Sequence, residues 1–398
     1  MILYRPEAFE PLVDTPWSEL RARAAIRDIV EDADSAFRGP RLFWRANDWD
    51  GWHSTSPMKN LYVGTAGVLW ALDRLRRRGH TETRLDLADL ATRNVELFRQ
   101  RPDFMKGERI PAQRESALLT GEAGILLVGW RLSPSRELAD DLLARVQANV
   151  ENEAEEVMWG SPGTLLAAQA MFEWTADERW RDAWNESADA LLARRDEEGY
   201  WTQRLYGQEL RGLTPPHGLV GNVQALLPLL DDARAAVLKR ETAALLAANA
   251  VEADGLANWP PRPRPELPGP DGQIRVQWCA GAPGIVIAAA TYLDEKLLRA
   301  GAELPWRTGP PNLEKGPGIC HGTAGNGYAF LKAFARTGDE LWLERARRFA
   351  MHALAQVERL RNEHGRGRHS LWTGDVGAAL YAAECIDGTS RYPIFDGF

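Results

Sequence analysis

The chain has 398 residues, 44% of them hydrophobic and 26% charged, an ordinary balance for a soluble globular protein. Its formal net charge of −8 argues against nucleic acid as the main partner, because phosphate recognition favours a basic surface. No apolar run approaches the ~20 residues a bilayer-spanning helix needs, and the Met1 end (MILYRPEAFEP) has no basic segment leading into an apolar one, so neither membrane insertion nor secretion is expected. Three cysteines in such a chain fit the reducing cytoplasm, where thiols serve metals or catalysis more often than disulfides.

In chain order, amphipathic helices are predicted over 16–37, 82–100, 135–154, 177–195, 232–250 and 339–360, where apolar and charged positions alternate near a 3.6-residue period. A second unit recurs seven times between them: Gly-x-x-Gly followed by an apolar helix. The copies start at Gly64 (GTAGVLWAL), Gly121 (GEAGILLVGW), Gly160 (GSPGTLLAAQAM), Gly218 (GLVGNVQALL), Gly281 (GAPGIVIAAA), Gly322 (GTAGNGYAFL) and Gly374 (GDVGAALYAA). The bare spacing is a weak signal at this glycine content; the helix after every pair makes it a repeat. Helices apolar nearly all round are buried on every side, whereas the amphipathic ones are half-exposed. Seven such pairs describe two concentric rings, an all-α α/α toroid with the buried helices inside, and one domain over residues 1–398. Glycine at each inner-helix N-terminus permits sharp turns and close helix approach. Seven helix N-termini at one mouth would favour anionic or thiolate ligands there.

The longest interval between repeats holds a proline-rich stretch, Asn258 to Gly272 (NWPPRPRPELPGPDG), expected to form an irregular rim leading into Cys279. The run Arg74, Arg76, Arg77 and Arg78 reads as a solvated helix end. Of the 16 tryptophans, Trp44, Trp49, Trp52, Trp201, Trp259 and Trp306 lie outside the recognised helices and are expected to pack loops.

The reactive residues fall in register with the repeat. Cys279 and Cys320 each stand two residues before the first glycine of their copy; His217 and His321 each stand one before. Equivalent positions of a closed array point at one place, so two thiols and two imidazoles converge. Cys279, Cys320 and His321 supply three ligands of a tetrahedral zinc site with an open fourth position. Two other readings stand beside this: buried cysteines packing as small hydrophobes, and a redox disulfide. Two thiolate ligands neutralise a divalent ion, leaving a bound third sulfur deprotonated yet electron-rich, which suits thiol attack better than hydrolysis. His217 is either an acid/base beside this centre or a fourth ligand closing it. His53, His80, His352, His364, His369 and Cys385 fall outside the register and carry structural roles by default.

The segments WCAGAPG (Trp278 to Gly284), CHGTAGNGYAF (Cys320 to Phe330) and HGLVGN (His217 to Asn222) together resemble the lanthionine synthetase C family. The resemblance covers all seven repeats. It implies an α/α toroid in which Zn2+, held by two Cys and one His, activates a thiol that adds to the β-carbon of dehydroalanine or dehydrobutyrine. On the matching motifs, Cys279, Cys320 and His321 are implied as zinc ligands and His217 as the catalytic acid/base. The segments NWPPR (Asn258 to Arg262), LEKGPGICHG (Leu313 to Gly322), EHG (Glu363 to Gly365) and the ending SRYPIFDGF resemble the LanC-like, glutathione-using branch. Lys315 resembles its glutathione-contacting lysine, and Arg366 or Arg368 fits the matching carboxylate-binding role. The implied partners are a thiol, glutathione in this branch, and a peptide or protein carrying the dehydroamino acid. A lantibiotic-type cyclase and a non-catalytic zinc- and glutathione-binding protein are the alternatives. Two positions depart from the family pattern. The third repeat (EEVMWGSPG) lacks the aspartate of ring-forming cyclases, Glu156 being the nearest carboxylate, and Pro317 stands where LanC-like proteins often show tyrosine.

Overall fold

A computed structural model describes residues 3–46, 57–103, 115–205, 207–263 and 274–398. Among these, seven helices start directly after the first glycine of a repeat: α2 (Thr65–Arg77), α4 (Glu122–Leu132), α6 (Ser161–Thr175), α8 (Leu219–Leu226), α10 (Ala282–Ala289), α12 (Thr323–Thr337) and α14 (Asp375–Asp387). They alternate with α1 (Glu19–Ala36), α3 (Leu87–Gln100), α5 (Arg136–Ala148), α7 (Glu178–Ala193), α9 (Asp232–Asn249), α11 (Glu295–Thr308) and α13 (Glu340–His364). Each even-numbered helix packs on the next, and α14 packs on α2, so the inner ring closes. The odd-numbered helices pack outside it. Arg78 at the end of α2 pairs with Glu384 and Asp387 of α14, which ties the closing seam. The arginine run is thus not merely solvated: Arg76 and Arg77 pair with Asp73, and Arg74 lies over the Trp70 ring.

The two rings start their helices by different chemistry. Outer helices are capped by Ser18, Asp86, Ser135, Asp177, Asp231, Asp294 and Asp339, whose side chains accept first-turn N–H groups. Inner helices carry glycine there, with no side-chain cap. The second glycine of every repeat is fixed by close approach. A Cβ on it would stand 1.8–2.3 Å from the carbonyl oxygen six residues earlier, from Pro215 against Gly221 to Leu61 against Gly67. Burial follows the expected partition, with α8 and α10 enclosed at every residue.

Three features differ from the periodicity reading. Helix α11 escapes it because Gly301 and Pro305 interrupt the pattern; Gly301 lets the helix approach Trp259 and Val286, and Pro305 removes one helical N–H. Two short antiparallel hairpins lie between outer and inner helices: β1 (Gln203–Leu205) with β2 (Gln208–Leu210), and β3 (Val251–Ala253) with β4 (Leu256–Asn258). The second turns at Asp254–Gly255, both at positive φ (53° and 77°), the conformation that a two-residue Asp-Gly turn takes. Helix α5 also stops at Ala148, short of residue 154.

Of the six tryptophans expected to pack loops, three lie in described loops, and they pack as expected. Trp44, Trp201 and Trp259 are buried, and each indole N–H donates to a last-turn carbonyl of an outer helix: Ala33, Leu191 and Leu246. They add a donor at helix C-termini, although the Leu191 and Leu246 carbonyls also accept the Arg194 and Ala250 N–H groups. Trp306 lies within α11, and Trp49, Trp52, His53 and most of the proline-rich rim (264–272) lie outside the described residues. Among the described residues no helix is long and apolar enough to cross a membrane.

Candidate functional site

The residue two before each first glycine forms a belt of main-chain hydrogen bonds around the mouth. Cys279 N–H donates to the Cys320 carbonyl (3.3 Å), Cys320 to Trp372 (2.8 Å), Trp372 to Tyr62 (3.2 Å) and Tyr62 to Leu119 (2.8 Å). Met158 donates to Pro216 (3.3 Å), and Thr120 Oγ1 bridges to the Met158 carbonyl (3.4 Å). Pro216 has no N–H, so no such bond runs from it to Cys279. All seven positions share one register, and this belt sets the two cysteines side by side. Two of the following glycines, Gly218 and Gly281, sit at positive φ (155° and 114°), conformations that L side chains rarely adopt.

The donor atoms of Cys279, Cys320 and His321 lie within 4.8 Å of one another, with Cys279 Sγ 3.9 Å from His321 Nδ1. Cys320 is buried; the other two are half-buried. Two thiols and an imidazole form a donor set for a thiophilic ion such as zinc, and three protein donors leave room for a fourth ligand. Both sulfurs are also held from outside the cluster. The Tyr62 hydroxyl donates to Cys320 Sγ (2.9 Å) and the Gln277 amide to Cys279 Sγ (2.9 Å). The Cys279 thiol is held well below its ordinary pKa, first by the hydrogen bond with Cys320 and then, against burial, by His321 and the charge of His217. Tyr62 stacks on Trp372 (5.7 Å), which lies 4.7 Å from Trp278, giving the cluster an aromatic floor.

His217 stands beside this cluster, with Nδ1 2.7 Å from Glu156 Oε2. Glu156 is wholly buried, and its carboxylate also accepts the N–H groups of Trp159 (2.6 Å) and Met158 (3.2 Å). Burial pushes the Glu156 carboxyl up, and the His217 imidazole opposes that. Burial would push His217 down; the Glu156 carboxylate and then Cys279 outweigh it and raise the imidazole above 6.5. The imidazole therefore keeps its proton to higher pH than an ordinary histidine, and its side chain is 38% exposed.

Arg366 and Arg368 line a second feature, and Lys315 lies on the turn beside it, outside the lining. A cleft of about 590 Å³ is lined by Glu314, Arg361, Glu363, Arg366, Arg368 and Asp375, among others. Lys315 lies 3.6 Å from Glu314, and a Cβ on the next residue, Gly316, would stand 3.8 Å from Arg368 Nη1. The turn carrying Lys315 thus borders Arg368 and runs on to Cys320. Arg366 is half-exposed in the cleft, whereas Arg368 is 9% exposed.

Three histidines outside the register pair with carboxylates that are not part of the cluster: His80 with Asp387, His352 with Glu10 and His369 with Asp32, while His364 lines the cleft. Cys385 is buried and burial pushes its thiol up, away from reactivity. Tyr62 and Gln277 were not legible as site residues. Register held the signal: Tyr62 occupies the cysteine position of its repeat, and Gln277 the position of Glu156.

A family model described as lanthionine synthetase C-like protein matches residues 55–397. Among curated proteins, glutathione S-transferase LANCL1 of Danio rerio is 31% identical over 142 residues, 31% of this chain and 32% of that protein. LanC-like protein GCL1 of Arabidopsis thaliana is 37% identical over 133 residues, 30% of each. These matches span about a third of either relative's length. Nisin cyclase, a solved structure, superimposes with a TM-score of 0.61 at 15% identity, covering 92% of this chain and 94% of that one, which establishes the shared α/α-toroid fold. On these findings the chain belongs to the lanthionine synthetase C-like family.

Proposed function

We propose that this chain is a thioether-forming enzyme that adds a thiol, glutathione in this reading, to the β-carbon of dehydroalanine or dehydrobutyrine in a peptide or protein. Cys279, Cys320 and His321 would hold the zinc, which when bound keeps a thiol sulfur deprotonated at neutral pH. Tyr62 and Gln277 fix the two cysteine sulfurs by donating to them. The new carbon–sulfur bond uses the sulfur's electron pair, and the alkene electrons move toward the α-carbon and its carbonyl. His217 returns a proton to the α-carbon, so the thiol's hydrogen and sulfur are both accounted for in the product. Glu156 orients the imidazole through Nδ1 and favours its protonated form. Lys315 with Arg366 or Arg368 supplies cations for the thiol's carboxylates at a distance from the reacting sulfur.

The observation that carries the proposal is a three-donor thiol–imidazole cluster with the hydrogen-bonded Glu156–His217 pair beside it. Binding alone requires no such proton donor. The name of the Danio rerio relative, a glutathione S-transferase, supports glutathione as the thiol. The test is mass spectrometry of a dehydroalanine peptide incubated with glutathione and protein. A glutathione adduct forming faster than in the protein-free control is expected. An adduct rate equal to the control contradicts the proposal, and ring closure by a cysteine of the same peptide in preference to glutathione would favour the cyclase alternative.

A further inference from the structure

The residue after the second glycine is apolar or threonine in five repeats: Val68, Ile125, Thr164, Ile285 and Ala378. It is asparagine in two, Asn222 and Asn326, and these are the repeats that carry histidine before the first glycine (HGLVGN and HGTAGN). Both asparagines are wholly buried. Asn222 Nδ2 donates to the Glu155 carbonyl (2.8 Å) and Asn326 Nδ2 to the Val276 carbonyl (3.0 Å). The two acceptors are equivalent, each five residues before the first glycine of the preceding repeat. One device is therefore built twice.

Each acceptor opens a loop that carries site chemistry. Immediately after Glu155 comes Glu156, which holds His217; immediately after Val276 comes Gln277, which donates to Cys279 Sγ. Glu155 is itself in the left-handed region (φ 47°), unusual for a residue with a Cβ, and its carbonyl also accepts from Gln203 Nε2 (3.2 Å). The Oδ1 atoms of both asparagines are buried without a hydrogen-bond partner among the described residues. An aliphatic side chain would avoid that desolvation cost, and other repeats accommodate one at this position. An amide donor reaching the preceding repeat's loop is what distinguishes the two repeats; the Thr164 hydroxyl donates within its own helix, to Ser161.

We propose that Asn222 and Asn326 are paired positioning residues, each fixing the loop of the preceding repeat: Asn222 sets Glu156 under His217, and Asn326 sets Cys279 with Gln277. The inference deepens the reading of this site given above. Asn222 joins the same two repeats as the Met158–Pro216 bond, and Asn326 the same two as the Cys279–Cys320 bond, so each adds a second link beside the belt.

The test uses Asn222→Thr and Asn326→Thr in the full chain, because threonine already occupies this register at Thr164. Two properties are measured without turnover: zinc affinity by competition with a chelator, and the downfield imidazole N–H resonance of His217 in histidine-labelled protein. Asn326→Thr is expected to weaken zinc binding by about 10–100-fold, the range for loss of a supporting partner, and to leave the His217 resonance in place. Asn222→Thr is expected to abolish that resonance and leave zinc affinity within twofold of the parent. Both properties unchanged in both variants would overturn the inference, as would equal loss of both properties in either variant. Since neither readout needs catalysis, an inactive parent with this split pattern would fail the proposed function and leave the positioning roles standing.

Discussion

Glu156 is wholly enclosed, yet its Oε2 ends 2.7 Å from His217 Nδ1, on an imidazole that is more than one-third exposed at the cluster. A buried carboxylate under an accessible imidazole delivers its effect through the ring. It occupies Nδ1, leaves Nε2 as the free ring nitrogen, and keeps the ring protonated to higher pH.

His217→Asn should retain the metal and the fold while adduct formation falls by about 10²–10⁴-fold, the usual contribution of a positioned general acid. Loss of metal in this variant, by elemental analysis, would instead make His217 a fourth ligand.

Glu156→Gln tests the pH dependence. The carboxylate raises His217 above 6.5, so the active imidazolium is lost only as pH climbs through that raised value. In the variant the falling limb of the rate–pH profile should move to lower pH. Stability has the same sign: a raised folded-state pKa contributes below the unfolded value and is lost as pH rises through the folded one. The melting-temperature advantage of the parent over Glu156→Gln should therefore shrink as pH rises above neutrality.

Much of this site could be read from the chain because the repeat gives every residue an address. Cys279, Cys320, His217 and His321 were placed by register alone, and the belt through Tyr62, Trp372 and Leu119 is that register in hydrogen bonds. Helix α11 was missed where Gly301 and Pro305 broke the period for reasons of packing. The donors Tyr62 and Gln277 share the register of Cys320 and Glu156, but a phenol and an amide are not metal ligands, so their role shows only in their contacts with the two sulfurs. The hairpins were missed for length, at three residues per strand.

Tyr62→Phe removes the hydroxyl that donates to Cys320 Sγ and leaves the ring that stacks on Trp372. Zinc affinity or turnover should drop by about 10–100-fold with little change in melting temperature. An unchanged affinity and rate would assign Tyr62 to packing alone.

Lys59 and Asp103 form an enclosed ion pair (2.9 Å), and Asp103 also accepts the Lys59 and Asn60 N–H groups at the base of the loop bearing Tyr62. Asp103→Ala leaves a buried ammonium unpaired and should cost about 3–5 kcal/mol in denaturant unfolding. If the closed ring folds as one unit, parent and variant should each unfold in a single transition; two separate transitions would divide the chain into domains.

Lys315→Ala should raise the KM for glutathione more than it lowers kcat, because it would hold a remote carboxylate. Arg366→Ala and Arg368→Ala separate the two candidates. Arg368 is nearly buried, so its loss should also lower the melting temperature, whereas Arg366→Ala should act on KM alone.

The central claim is that thiol addition depends on an ion held by Cys279, Cys320 and His321. Zinc titrated into chelator-stripped protein, with adduct formation followed at each step, tests it most directly. The rate should rise from the uncatalysed level to a plateau at about one zinc per chain. Cys279→Ala and Cys320→Ala should stay at the uncatalysed level, and Cys385→Ala should follow the parent. Full activity in the stripped protein, or one equivalent of zinc bound with no gain in rate, would contradict the account.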